Sequence, residues 1–199
     1  MVRILHPAPI SRIGIIGSPL RLGRRRCRFE SCVRDQFNIG EMMNIDQVKT
    51  FIEGQPITSK IYIGGDSERF KIKGVWYADY TLVVVIHIEG KHGCKIFGET
   101  IREKDYDQRK DKPRMRLMNE VYKIAELYLK LAEVLDDREV EVHLDINPNE
   151  DHGSSCVINE AVGYIKGMCN VIPMVKPNAF AASGAADRFK HILCHTKAA

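Results

Sequence analysis

From residue 44 onward the chain switches between two hydrophobic periods, and each switch marks an element. Lys60-Ile61-Tyr62-Ile63-Gly64-Gly65-Asp66 is a β-branched and aromatic run closed by glycines, which predicts a strand ending at Asp66. Two further strands follow, around Gly74–Ile88 and Cys94–Ile101. The short turn Gly90-Lys91-His92-Gly93 between them predicts an antiparallel hairpin. The longest apolar run, Leu82 to Ile86, suits a buried strand and is far too short to span a bilayer, so no membrane partner is expected. The charged stretch Arg102–Lys112 reads as a solvated loop.

Helical elements are expected in four places. Asn44 supplies an N-cap with Gln47 three residues on, and Gly54 closes a short helix. Pro113 opens the strongest helix, running to about Leu135, in which Leu117, Val121, Ile124, Tyr128, Leu131 and Leu135 recur at three and four residues. Ser154 or Ser155 is expected to cap a helix to about Met168, and Ser183 a last helix holding Asp187 and His191. Between these, Glu139–Ile146 alternates as a strand, and Asn170–Val175 reads as a fifth strand that Pro173 confines to an edge. The resulting order (helix, three strands, then alternating helices and strands) predicts an α/β fold with a mixed five-stranded sheet flanked by helices.

Composition divides the chain in two. A hydrophobic share of 44% and a charged share of 28% fit a globular protein of 199 residues with one ordinary domain, assigned to residues 44–199. Residues 1–43 form a basic arm without sustained periodicity. Its first forty residues hold eight arginines against Glu30 and Asp35, a net +6, so residues 41–199 contribute −2 to the chain's +4. The arm reads as a nucleic-acid contact, as a disordered tail, or as the product of a start chosen too early. Arg28-Phe29-Glu30-Ser31 is one frame of CGGTTCGAATCC, the T-arm sequence of a tRNA gene, and Met42 and Met43 stand just before the first helix. The six cysteines are scattered without a Cys-x-x-Cys pair, which argues against a structural zinc. The short apolar stretch near Ile13–Ile16 has its arginines after it rather than before, so no secretory signal is expected; reduced thiols and a cytoplasmic location are.

Four acids occupy telling positions: Asp66 at the end of the first strand, Asp145 near the end of the fourth, and Glu120 and Asp187 early in the long and last helices. If strands one and four are neighbours, their ends bring Asp66 and Asp145 together, where open α/β sheets place ligands. Carboxylates so gathered repel unless cations sit among them, and oxygen-only ligands favour Mg²⁺ or Mn²⁺. Two such ions suit phosphodiester hydrolysis of nucleic acid, whether RNA, DNA or hybrid. Each acid also has a bland account: a turn former for Asp66, helix-surface charge for Glu120, favourable dipole placement for Asp187. Asp145 is more telling, because it interrupts an apolar strand.

The pattern resembles the ribonuclease H-like superfamily and, within it, the YkuK-like family. The resemblance is carried by Tyr62-Ile63-Gly64-Gly65-Asp66-Ser67, by His143-Leu144-Asp145-Ile146-Asn147, and by Lys176-Pro177 with Ala181-Ala182-Ser183 and Ala186-Asp187, covering roughly residues 44–195. It implies that Asp66, Glu120, Asp145 and Asp187 bind the metals, with Glu126 and Glu133 as alternatives on Glu120's helix lying further from the site. Lys176, Lys190 and His191 would stand close enough to hold a phosphate or move protons, His191 being one helical turn after Asp187. His152 lies in a neighbouring loop, and Trp76, Tyr77 and Tyr80 offer a stacking surface or simple packing. The competing reading is a noncatalytic nucleic-acid-binding or assembly protein with an idle site. A phosphotransferase of the actin or sugar-kinase type is rejected on length, since it needs two such folds.

Overall fold

A computed structural model describes residues 43–90, 93–107 and 113–190; the basic arm and His191 lie outside these residues. A helix α1 (Ile45–Glu53) is capped by Asn44, whose side chain accepts from the backbone N–H of Asp46 and Gln47, and it buries Val48 and Ile52. Strands β1 (Lys60–Ile72), β2 (Val75–His87) and β3 (Cys94–Lys104) form an antiparallel meander. The long helix α2 (Arg114–Leu135) precedes β4 (Val140–Leu144), and α3 (Ile158–Cys169) follows a 3-10 turn at Gly153–Val157. A last helix, α4, covers 180–190 and opens with a π-helical turn at Ala181–Ala185.

The sheet has four strands, in the order β3-β2-β1-β4, with β4 parallel to β1. The expected fifth strand is reduced to a single bridge between His143 and Met174. Pro173 lacks an N–H, so the ladder is confined to the Leu144, Met174 and Lys176 amides. Other boundaries also moved, β3 running to Lys104 into the stretch expected to be loop because β2 pairs with it as far as Tyr77. Strand β1 does not end at Asp66 but runs six residues further, because β2 supplies a partner at every position to Ile72. The last helix does not start at Ser183, whose Oγ donates to the Ala179 carbonyl; it begins three residues earlier, at Phe180. Likewise Ser154 and Ser155 serve the loop before α3, Ser154 Oγ accepting from Asn147 N–H and Ser155 Oγ donating to His152 O.

Both faces of the sheet are covered. One packs Ile61, Ile63, Leu82, Val84 and Ile86 against the apolar stripe of α2 and against α1 and α3. The other packs Val83, Val85 and Ile96 against Ala181, Ala185, Ala186 and Phe189 of α4. The unbroken run Leu82–Ile86 is apolar because β2 is buried on both sides there. The small side chains of α4 let its backbone approach β1 closely, and Gly64 completes the fit: a Cβ at that position would come within 2.9 Å of Ala182 N.

Candidate functional site

The site forms where β4 parts from β1. The two strands pair from Ile61↔Val140 to Gly65↔Leu144, so Asp66 and Asp145 are the next residue on each side of the fork. Asp66 is held by the ladder to Thr81 of β2. Asp145, just past β4, is held from the other side by the Ile146 carbonyl, which accepts from Lys176 N–H. Both carboxylates are about four-fifths buried.

Glu120 enters from α2 and is fully buried, its Oε2 accepting from Ser67 Oγ at 2.6 Å. Arg116, one turn earlier, donates to Ser67 Oγ at 2.6 Å and to the Ser67 carbonyl, so α2 and β1 are locked through this serine. Burial, reinforced by the charges of Asp66 and Asp145, raises Glu120 to a pKa of about 8, against the opposing pull of Ser67 and Arg116. Burial also raises Asp145, with Asp66 and Asp187 adding to the shift and Lys176 opposing it. These mutual influences place the four acids within one electrostatic neighbourhood. Glu126 and Glu133, by contrast, are exposed and paired with Lys130 and Lys49.

Two lysines enter the same neighbourhood. Lys190 of α4 hydrogen-bonds Asp66 and lies 3.8 Å from Asp187. Burial works against its charge, but the Asp66 hydrogen bond and the charges of Asp66, Asp187 and Glu68 outweigh it and raise its pKa. Lys176 Nζ donates to Asp145 Oδ2 at 3.0 Å and stands 2.8 Å from Oδ1. The second contact is an ion pair without hydrogen-bond geometry, so Asp145 Oδ1 is buried with no hydrogen-bond partner. Asp187 is the outermost acid, its side chain 61% exposed. Among the described residues, no group of three or more His, Cys, Asp or Glu side chains is arranged to hold a metal ion. Asp66, Asp145 and Asp187 face ammonium groups, while Glu120 faces the Ser67 hydroxyl.

A family model described as Ribonuclease H-like matches residues 43–191. The chain belongs to the ribonuclease H-like family. No curated protein and no solved structure matches it. The fold agrees with that membership: an α/β arrangement with a mixed four-stranded sheet flanked by helices.

Other sequence candidates fall differently in this ribonuclease H-like chain. His152 is exposed in the loop before α3. Tyr80 is buried in the sheet, while Tyr77 stacks on Phe70 with ring centroids 6.2 Å apart. Trp76 stands beside Tyr77 in β2 and so on the opposite sheet face, under the Arg69 guanidinium at 4.3 Å. The three aromatics therefore form no common surface. Two contributors had no role assigned from the sequence. Asp107 caps α2 from a distance, its carboxylate accepting from Met115 N–H at 3.1 Å and Arg116 N–H at 2.7 Å. His143, fully buried, accepts at Nδ1 from Ala181 N–H and meets Glu141 at Nε2. Pro113 has no side chain able to cap, which is the signal that α2 needs a donated acceptor.

Proposed function

We propose that this chain hydrolyses phosphodiester bonds of nucleic acid with Mg²⁺ or Mn²⁺ held by Asp66, Glu120, Asp145 and Asp187. The observation that carries the reading is Glu120: a carboxyl fully buried beside two further acids, raised to about 8, is costly to the fold unless the site serves a cation. The oxygen-only donor set fits a hard divalent ion. When bound, such an ion lowers the pKa of a water and stabilises charge on the leaving oxygen.

The chain's own residues have separate tasks. Ser67 and Arg116 orient Glu120, and the β1 ladder fixes Asp66. Lys176 and Lys190 supply positive charge at the mouth of the site, suited to a phosphate oxygen. The test is cleavage of single-stranded, hybrid and branched substrates in Mn²⁺ by wild type, Asp66→Asn and Asp145→Asn. Loss of cleavage in both variants is expected, and cleavage undiminished in the double variant would overturn the assignment.

A specific observation favours a second reading, in which the chain binds nucleic acid or a partner without catalysis. Asp66 and Asp145 already have lysine partners, and an acid neutralised by an ammonium needs no metal. Calorimetry with Mn²⁺ separates the two: no binding at millimolar concentration would favour the idle site.

A further inference from the structure

Met115, Tyr122 and Leu129 recur at seven-residue intervals along α2, and they stand 59%, 42% and 44% exposed. Seven residues are about two turns, so the three form one stripe that drifts only slightly around the helix. The stripe lies on the opposite side of α2 from the buried Glu120, so nothing about this face depends on the proposed chemistry. Two residues of α3 widen it. Tyr164 packs edge-on against Tyr122 at a centroid distance of 4.7 Å, and Met168, 46% exposed, shares a hollow with Leu129. Apolar side chains scattered singly over a surface need no partner, but a contiguous band across two helices marks an interface.

The charge around the stripe indicates what covers it. Its N-terminal end borders a hollow whose walls carry Lys104, Arg114 and Arg116 against Asp105 and Glu160, a surplus of one positive charge. Its C-terminal end borders a second hollow with Asp136 and Asp137 against Arg138, a surplus of one negative charge. Between the two ends Glu126 pairs with Lys130, and Glu133 with Lys49. The ends therefore cancel, which gives a polyanion no footing. They suit a copy of the same face turned end for end, since each positive end then meets a negative one and the helix dipoles oppose. The seven-residue spacing fits that partner too, being the seam of helices that pack side by side. Area agrees. A helix of 22 residues is about 33 Å long, and with α3 beside it at roughly 9 Å the face is on the order of 500 Å² per copy, near the roughly 1,000 Å² in total that a specific interface needs.

We propose that α2 and α3 seat a second copy of this chain, with the two α2 helices antiparallel about a two-fold axis at Tyr122. That axis sets Met115 of each copy opposite the partner's Leu129, and Tyr122 opposite itself, which is the self-complementary contact of a closed dimer.

The experiment is sedimentation equilibrium of the full chain, from low to high micromolar concentration, on wild type, Met115→Lys, Leu129→Glu and the double variant, with circular dichroism checking that each is folded. Wild type is expected at twice the chain mass. Each single variant puts two charges into the apolar seam and is expected at the chain mass, whereas the double variant sets Lys against Glu across the axis and returns to twice the chain mass. A wild type that stays monomeric throughout overturns the proposal without any variant. If Leu129→Glu then also abolishes binding of a single-stranded oligonucleotide, the face belongs to nucleic acid instead. Dimers in both single variants would put the contact elsewhere on the chain and overturn the proposal, and so would a folded double variant that remains monomeric, because the antiparallel register requires the rescue.

Discussion

The imidazole of His143 accepts a hydrogen bond at 3.0 Å from the backbone N–H of Ala181, which ties β4 to the first turn of α4. That turn leads to Asp187 and Lys190, so a buried ring on the sheet helps set where two residues of the cluster stand. The ring is packed by Tyr62 and Phe180, at centroid distances of 5.4 and 4.8 Å, and its other nitrogen meets Glu141. His143→Leu leaves the Ala181 amide buried without an acceptor and is expected to cost about 1–3 kcal/mol, measured by urea denaturation at pH 7.5.

The same ring gives a pH signature. Burial lowers the His143 pKa, with Glu141 opposing, so the unfolded chain takes up a proton more readily than the folded one. The histidine's part of stability is therefore complete above the unfolded value of about 6.5 and is lost as pH falls below it. Wild type should lose stability between pH 6.5 and 5 more steeply than His143→Leu. Equal slopes in denaturation series would refute this assignment.

Glu120 behaves in the opposite sense. With a folded pKa of about 8 against 4.5, folding without metal requires the carboxyl to take up a proton, and stability falls as pH rises from 4.5 to 8. Glu120→Gln mimics the protonated acid, so in EDTA the variant should match wild type near pH 5 and exceed its Tm by a margin that grows up to pH 8. It should also lose Mn²⁺ binding. A variant less stable than wild type at pH 8 in EDTA would contradict the burial argument.

Asp107 holds the first turn of α2 by two backbone amides. Asp107→Ala is expected to cost about 1–2 kcal/mol in chemical denaturation, the range of a lost N-cap. Because that turn leads to Arg116 and Glu120, cleavage should fall as well, and Asp107→Asn, which keeps an acceptor oxygen, should recover part of the stability.

Three glycines make a paired prediction. Gly163 and Gly167 lie exposed in α3 with open space where a Cβ would sit, so each Gly→Ala change should stabilise by about 0.5–1 kcal/mol in thermal melts. Gly64→Ala instead drives a methyl group onto the backbone of α4 and should destabilise by about 1–3 kcal/mol. A harmless Gly64→Ala would mean that α4 is not seated closely on β1.

The sequence was most legible where one period ran long enough to be buried. The stripe of α2 and the capped α1 came out nearly to the residue, and the meander of three strands was expected in the right order. Beyond Asp66 the signal failed for a physical reason. Residues 67–72 extend past the point where β4 leaves, their outward side chains Glu68, Lys71 and Ile72 are exposed, and polar residues there hide a strand that is held by backbone pairing. Edge position likewise made 170–175 read as a strand when its ladder was too short to be one. Among the acids, position alone separated Glu120, which is buried, from Glu126 and Glu133, which are exposed. The contact of each acid with a particular lysine was not readable, because it depends on tertiary placement of α4 and of the segment after β4.

One feature of the hairpin has an optical meaning. Trp76 is the chain's single tryptophan, and it stands near the Lys73-Gly74 turn, 38% exposed beneath Arg69. Tryptophan emission in this protein therefore reports the outermost part of β1 and β2, not the interior between α2 and the sheet. A denaturation curve followed by fluorescence alone would describe that tip, and its agreement with the far-ultraviolet signal would measure whether tip and core melt as one unit.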